Sequence, residues 1–130
     1  MPLLEIHMVE GRTLEQKRGI SKVLTKEIAR ITNVPEQRVK IYFMDVKAQD
    51  VVDGGMHLCD QSDTVVGDMT FIKMYLVGGK TLEQKTEMAR VVTKEVARIG
   101  NIGEKAIKMY FIDIRLDGVS NGGMLNRANG

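Results

Sequence analysis

The feature that most restricts how this chain can fold is that it matches itself. Sliding the sequence by 68 positions aligns residues 2–56 with 70–124 without a gap, and about 24 of the 55 pairs are identical, far more than unrelated segments share. "TKEIARITN" (25–33) meets "TKEVARIGN" (93–101), "KIYFMDV" (40–46) meets "KMYFIDI" (108–114), and "DGGM" (53–56) meets "NGGM" (121–124). Whatever one copy builds, the other must build as well.

Residues 2–9, "PLLEIHMV", alternate as a strand with Leu4, Ile6 and Met8 on one face, and residues 70–77, "TFIKMYLV", do the same. Thr13 with Gln16, and Thr81 with Gln84, form the T-x-x-Q pattern in which a hydroxyl and an amide satisfy the free donors of a helix start. The helices that follow carry Ile20, Val23, Leu24, Ile28 and Ile31, or Met88, Val91, Val92, Val96 and Ile99, at three-and-four spacing. Thr32-Asn33 with Pro35, and Gly100-Asn101 with Gly103, stop them, and 39–46 and 107–114 read as second strands.

Each copy is thus a β-α-β unit, which joins two parallel strands through a helix. A unit of about 55 residues cannot cover its own sheet, so the two should pair into a four-stranded sheet with both helices on one face. The expected class is α/β (α+β in some schemes). The expected organisation is a single domain over 1–130: a first unit 1–56, a polar linker 57–68 and a second unit 69–130. The sheet face away from the helices is expected to be apolar and exposed, which predicts a homo-oligomer.

A net charge of +2, with 28 % of residues charged and the signs well mixed, lacks the one-sided basic face that nucleic acid or an anionic membrane requires. Cys59 is the single cysteine, so no internal disulfide can form, and no signal peptide or apolar run of about 20 residues is present. The expectation is a cytoplasmic protein with a small carboxylate as its partner, and with no nucleic acid or membrane.

Met1-Pro2 is the pair with most chemical content. Removal of Met1 would leave Pro2 as a terminal secondary amine. A free α-amino group titrates near about 7.7–8.0, and burial beside cations favours its neutral form, which can act as a general base. Met-Pro by itself proves nothing, since many chains simply tolerate proline there.

Pro2, the strand "LLEIHMVEGR", the "EQK" helix start, the second strand and the paired glycines near the end of each copy together resemble the 4-oxalocrotonate tautomerases, and more narrowly a fused form with two short subunits in one chain. The resemblance covers each half nearly end to end. It implies the tautomerase/MIF-like fold and a cofactor-independent keto-enol tautomerase of small unsaturated 2-oxo or 2-hydroxydienoic acids, such as 2-hydroxymuconate or phenylenolpyruvate. Pro2 is the implied base, and six units imply a homotrimer of fused chains.

Carried over residue by residue, the family's first arginine stands at Arg12 in one copy and Lys80 in the other. Its second arginine aligns with Lys40 and Lys108, and its pocket-closing aromatic with Val51 and Val119. The proline aligns with Thr70, whose nitrogen is an amide. In two-domain relatives the basic loop facing the proline comes from the opposite half, which pairs Pro2 with Lys80 and leaves Arg12 at the Thr70 position. Either Lys40 or Lys108 could complete the Pro2 site. Lysine keeps the charge but loses the planar fork that grips a carboxylate.

Two alternatives stand beside this reading. A superfamily hydratase, dehalogenase or decarboxylase of three-carbon acids needs an additional acid, but the water-activating carboxylate aligns with Asn121 (Asp53 in the first copy) and the decarboxylase aspartate near Arg38. A non-enzymatic ligand-binding module is the other, since paired β-α-β units also occur there. His7 reads as a packed strand residue, and one histidine with one cysteine, His57 and Cys59, does not make a metal site.

Overall fold

The computed structural model describes residues 2–61 and 69–126. Most of the expected linker, 62–68, lies outside the described residues. In chain order the elements are β1 (Leu3–Val9), α1 (Leu14–Thr32), β2 (Lys40–Val46), the two-residue strands β3 (Val52–Asp53) and β4 (Met56–His57), β5 (Thr70–Val77), α2 (Leu82–Gly100), β6 (Ile107–Ile114), β7 (Ser120–Asn121) and β8 (Met124–Leu125).

Both helices start and stop as their sequences dictate. Thr13 and Thr81 accept from the backbone N–H of Gln16 and Gln84, while the glutamine side chains accept from the threonine N–H. Asn33 and Asn101 adopt the left-handed conformation with φ of 56° and 54°, which asparagine tolerates better than most residues and which ends a helix.

The main sheet has the order β2-β1-β5-β6. Within each copy the strands are parallel, Leu3 beside Lys40 and Thr70 beside Ile107. Between copies β1 and β5 run antiparallel, with Leu3 opposite Tyr75 and Met8 opposite Thr70. The start of one central strand therefore lies beside the end of the other. That arrangement relates the two halves by an approximate two-fold.

Leu4, Ile6, Met8, Ile72, Met74 and Leu76 bury against both helices, meeting Ile20, Leu24 and Ile28 of α1 and Met88, Val92 and Val96 of α2. Val23 and Ile31, expected in the stripe of α1, are only half-buried, and Ala29 and Thr32 are buried instead. The Thr32 hydroxyl can be buried because it donates to the Ile28 oxygen at 2.6 Å.

The helices are also fastened to each other. The Gln16 amide donates to the Ile99 oxygen at 3.2 Å and the Gln84 amide to the Ile31 oxygen at 3.1 Å. Each capping glutamine thereby reaches a carbonyl left open near the end of the opposite helix.

The free sheet face differs from its expectation. Strand alternation puts Tyr42, Met44, Phe71 and Tyr110 there, but also Glu5, His7, Lys40, Lys73 and Lys108. It is a mixed face rather than an apolar one. The largest exposed apolar side chains elsewhere include Val52, Met56, Met124 and Leu125, on the two hairpins. Each hairpin turns on two glycines, Gly54-Gly55 and Gly122-Gly123, all with positive φ, the combination that a tight two-residue turn requires. No helix among the described residues is long and apolar enough to cross a membrane.

Candidate active site

The antiparallel β1–β5 pair creates two related ends, each combining the start of one central strand, the end of the other and the loop that follows it. At the first end, Pro2 is buried immediately before β1, and its carbonyl oxygen accepts from the Lys40 backbone N–H at 3.0 Å. Continuing the register by one residue sets Pro2 beside Leu76, two residues before the Gly78-Gly79-Lys80 loop. The side chain of Lys40 donates to the Gln37 oxygen at 2.9 Å. Lys80 is half-buried, and among the described residues its ammonium has no hydrogen-bond or ion-pair partner. A cleft of about 400 Å³ opens where Gly78 and Gly79 meet residues 113–117.

The second end is built around Thr70. A cavity of about 770 Å³ there is lined by Thr70, Lys108, Val51, His7 and Tyr110 among others. Its floor is an aromatic row. His7 stacks on Phe71 with ring centres 4.3 Å apart, and Phe71 meets the Tyr110 ring edge-on at 6.0 Å. His7 Nε2 also sits 3.2 Å from the Glu5 carboxylate, so this histidine is packed and partnered.

Val51 and Val119 are held alike, each offering its carbonyl to the chain that returns from its hairpin: Leu58 N–H to Val51 at 2.9 Å and Asn126 N–H to Val119 at 2.9 Å. Val51 lines the Thr70 cavity, and the two-fold puts Val119 at the Pro2 end. Arg12, in the loop after β1, has its guanidinium on the end of α2, with Nε donating to the Gly100 oxygen at 3.0 Å and Nη2 to the Asn101 oxygen at 3.4 Å.

Within one chain, then, Lys108 and Val51 line a cavity with Thr70, while Lys40 is hydrogen-bonded through its backbone to Pro2 and the cleft at the Gly78-Gly79 loop is lined by neither Pro2, Lys40 nor Lys80. Sequence reasoning missed Tyr110 and Lys105 as cavity residues. Tyr110 follows Lys108 by two on the same strand, so period-2 alternation would have placed it beside that lysine. His57 Nδ1 lies 2.7 Å from the Gln49 oxygen, and among the described residues no group of three metal-ligating side chains converges.

The tautomerase enzyme family model matches residues 2–60. A probable tautomerase from Bacillus cereus is 30 % identical over 61 residues, which are 47 % of this chain and 100 % of that protein. The chain belongs to the tautomerase family. This tautomerase is accordingly an enzyme of the isomerase class. The 2-hydroxymuconate tautomerase of Bacillus subtilis is 28 % identical over 60 residues, 46 % of this chain and 97 % of that one. Among solved structures, a wild-type fused 4-OT described as an asymmetric trimer superposes with a TM-score of 0.84 at 21 % identity, covering 98 % of both chains. The tautomerase fold thus extends over both copies, whereas the curated relatives are single-copy proteins matched by about half of the chain.

Proposed function

We propose that this chain is a keto-enol tautomerase of small unsaturated 2-oxo or 2-hydroxydienoic acids, with Pro2 as general base once Met1 has been removed. The observation that carries the reading is that Pro2 is buried at the head of a central strand, with Lys40 on one side and the strand leading to Lys80 on the other. Burial disfavours a charged amine and keeps its lone pair available.

In this mechanism the neutral Pro2 nitrogen takes the proton of the 2-hydroxy group and the resulting ammonium returns it to a carbon of the conjugated chain. One proton moves, nothing is oxidised, and no cofactor is required. Lys80 and Lys40 hold the carboxylate and 2-oxo oxygens and stabilise the negative charge that develops on oxygen. Val119 supplies an apolar wall, leaving room that an aromatic residue would fill. Arg12, occupied at the end of α2, takes no part, and Lys108 belongs to the other end. The exposed hairpin side chains and the free sheet face suit assembly, and a homotrimer is supported by the trimeric fused 4-OT of the same fold.

The test is ketonisation of 2-hydroxymuconate and phenylenolpyruvate by the wild type and by Pro2→Ala, with circular dichroism confirming the fold. A loss of 100-fold or more is expected, in line with what positioned proton transfer contributes, and retention of Met1 should act the same way. Unchanged turnover in Pro2→Ala would overturn the assignment.

A further inference from the structure

The cleft beside the Gly78-Gly79 loop carries two carboxylates, Asp113 and Asp117, and each is claimed by a cation. Asp117 accepts from Arg115 Nε at 3.1 Å and Nη2 at 3.0 Å. Asp113 accepts from the Lys85 ammonium at 2.7 Å. Lys80, which ends the same loop, is left with no hydrogen-bond or ion-pair partner among the described residues.

Asp113 also stands in line with Pro2. The β5–β6 register sets Asp113 beside Leu76, and the β1–β5 register, continued by one residue, sets Leu76 beside Pro2. The row crosses three strands, about 10 Å from end to end at about 4.8 Å per strand. Asp113 lies on the helix side of the sheet, because it meets Lys85 of α2 and follows by two residues Phe111, which packs on the core. The loop itself is tied next to it, with the Gly78 N–H donating to the Ile114 oxygen at 3.1 Å. An Asp113 carboxylate without Lys85 would therefore draw the Lys80 ammonium and repel an anionic substrate, both through partly screened charges.

The duplication supplies a matched control. Lys17 holds Asp45 at 2.6 Å, again tying the start of a helix to the end of a second strand, with side chains 18 and 42 % exposed against 24 and 52 % for Lys85 and Asp113. Asp45 lies beside Met8. That is six residues along β1 from Pro2, about 20 Å at about 3.3 Å per residue. The two ion pairs share one structural duty, and only one of them neighbours Pro2.

We propose that Lys85 is a positioning residue of the Pro2 site: it occupies the Asp113 carboxylate and so leaves the Lys80 ammonium free for the substrate carboxylate. The inference rests on the reading of Pro2 and Lys80 given above. Lys85 touches no reacting atom and acts through Asp113 alone.

The test is steady-state ketonisation of 2-hydroxymuconate by the full chain in its native assembly, with thermal midpoints recorded for every variant. Lys85→Met should raise KM about threefold to tenfold with kcat within about twofold. Adding Asp113→Asn to Lys85→Met should return KM to within about twofold of the wild type, although the ion pair is still absent. Lys17→Met should lower the midpoint as much as Lys85→Met does and leave KM where it is. A double variant as impaired as Lys85→Met, an equal rise of KM in Lys17→Met, or an unchanged KM in Lys85→Met would each overturn the proposal. Pro2→Ala and Lys80→Ala run alongside separate the two levels. If both are impaired while Lys85→Met is not, the proposal alone fails; undiminished turnover in Pro2→Ala overturns the underlying reading and the proposal with it.

Discussion

Arg12 in the first copy donates its Nε hydrogen to the main-chain oxygen of Gly100, 3.0 Å away and 88 residues further along the chain. The residue that aligns with a substrate-binding arginine therefore serves to close a helix. Replacing Arg12 with alanine leaves carbonyls at the α2 end without this donor and should cost about 1–2 kcal/mol in urea unfolding, the range for a partly exposed charged hydrogen bond. Arg12→Lys, with one compact ammonium in place of a fork, should recover only part of that. Unaltered unfolding midpoints in both variants would show that the contact contributes nothing.

Gln16 and Gln84 each work twice, in their own capping box and on the opposite helix. Single substitution by alanine should lower stability by about 1–2 kcal/mol. The two glutamines sit at different ends of the helix pair with no shared partner, so the double variant should lose about the sum. Denaturant titration of the four proteins measures this, and strong non-additivity would mean that the two ends are coupled through the helices.

Lys80 gives a kinetic prediction. Lys80→Ala should lower kcat/KM for a dicarboxylate enol by about tenfold or more, as expected for loss of a charge-assisted hydrogen bond. Lys80→Arg, which restores the planar fork, should match or exceed the wild type. Lys108→Ala should leave the same kcat/KM within about twofold. Steady-state rates for the three variants decide whether the Pro2 end is served by Lys80.

Glu87 of α2 accepts from Arg90 Nη2 at 2.7 Å and lies 3.8 Å from Arg30 of α1. The Arg90 hydrogen bond, opposed by burial and aided by the charges of Arg90 and Arg30, holds its carboxyl below the ordinary 4.5. A depressed folded value means the pair stabilises the fold above pH 4.5 and loses that contribution as pH falls through the folded value. Glu87→Gln should accordingly melt below the wild type at neutral pH and converge with it in acid. A difference independent of pH would assign the effect to packing instead.

In the core, Leu24 is fully buried between α1 and the sheet, and Leu24→Ala should cost about 2–5 kcal/mol by cavity formation. Calorimetry would detect a smaller loss if the helix could settle into the space.

What could be read from the sequence was local or duplicated. The capping boxes at Thr13 and Thr81, the asparagine stops at Asn33 and Asn101, the strand alternation and the parallel pairing inside each copy follow from contacts a few residues apart or from the β-α-β connection itself. Pro2 stood out as a candidate by chemistry and resemblance alone. The sequence by itself thus determined two β-α-β units, their core stripes and their unequal first residues.

Only the tertiary structure decided how the copies meet. Antiparallel pairing of Leu3 with Tyr75 sets each strand start beside the end of the other copy's central strand, and this in turn separates Lys40 at Pro2 from Lys108 at Thr70. It also carries Arg12 to Gly100 and leaves the Thr70 hydroxyl without a partner among the described residues. The free sheet face was misread as apolar although Glu5 alternates with the core-facing Leu4 and Ile6, and Lys73 with Ile72 and Met74, so its mixed character was already legible in the strands themselves. The pairings between copies have one physical reason. Contacts between copies join residues from 53 to 89 positions apart, where no local periodicity operates, and they are selected by burying Leu4, Ile6, Ile72 and Met74 under both helices at once.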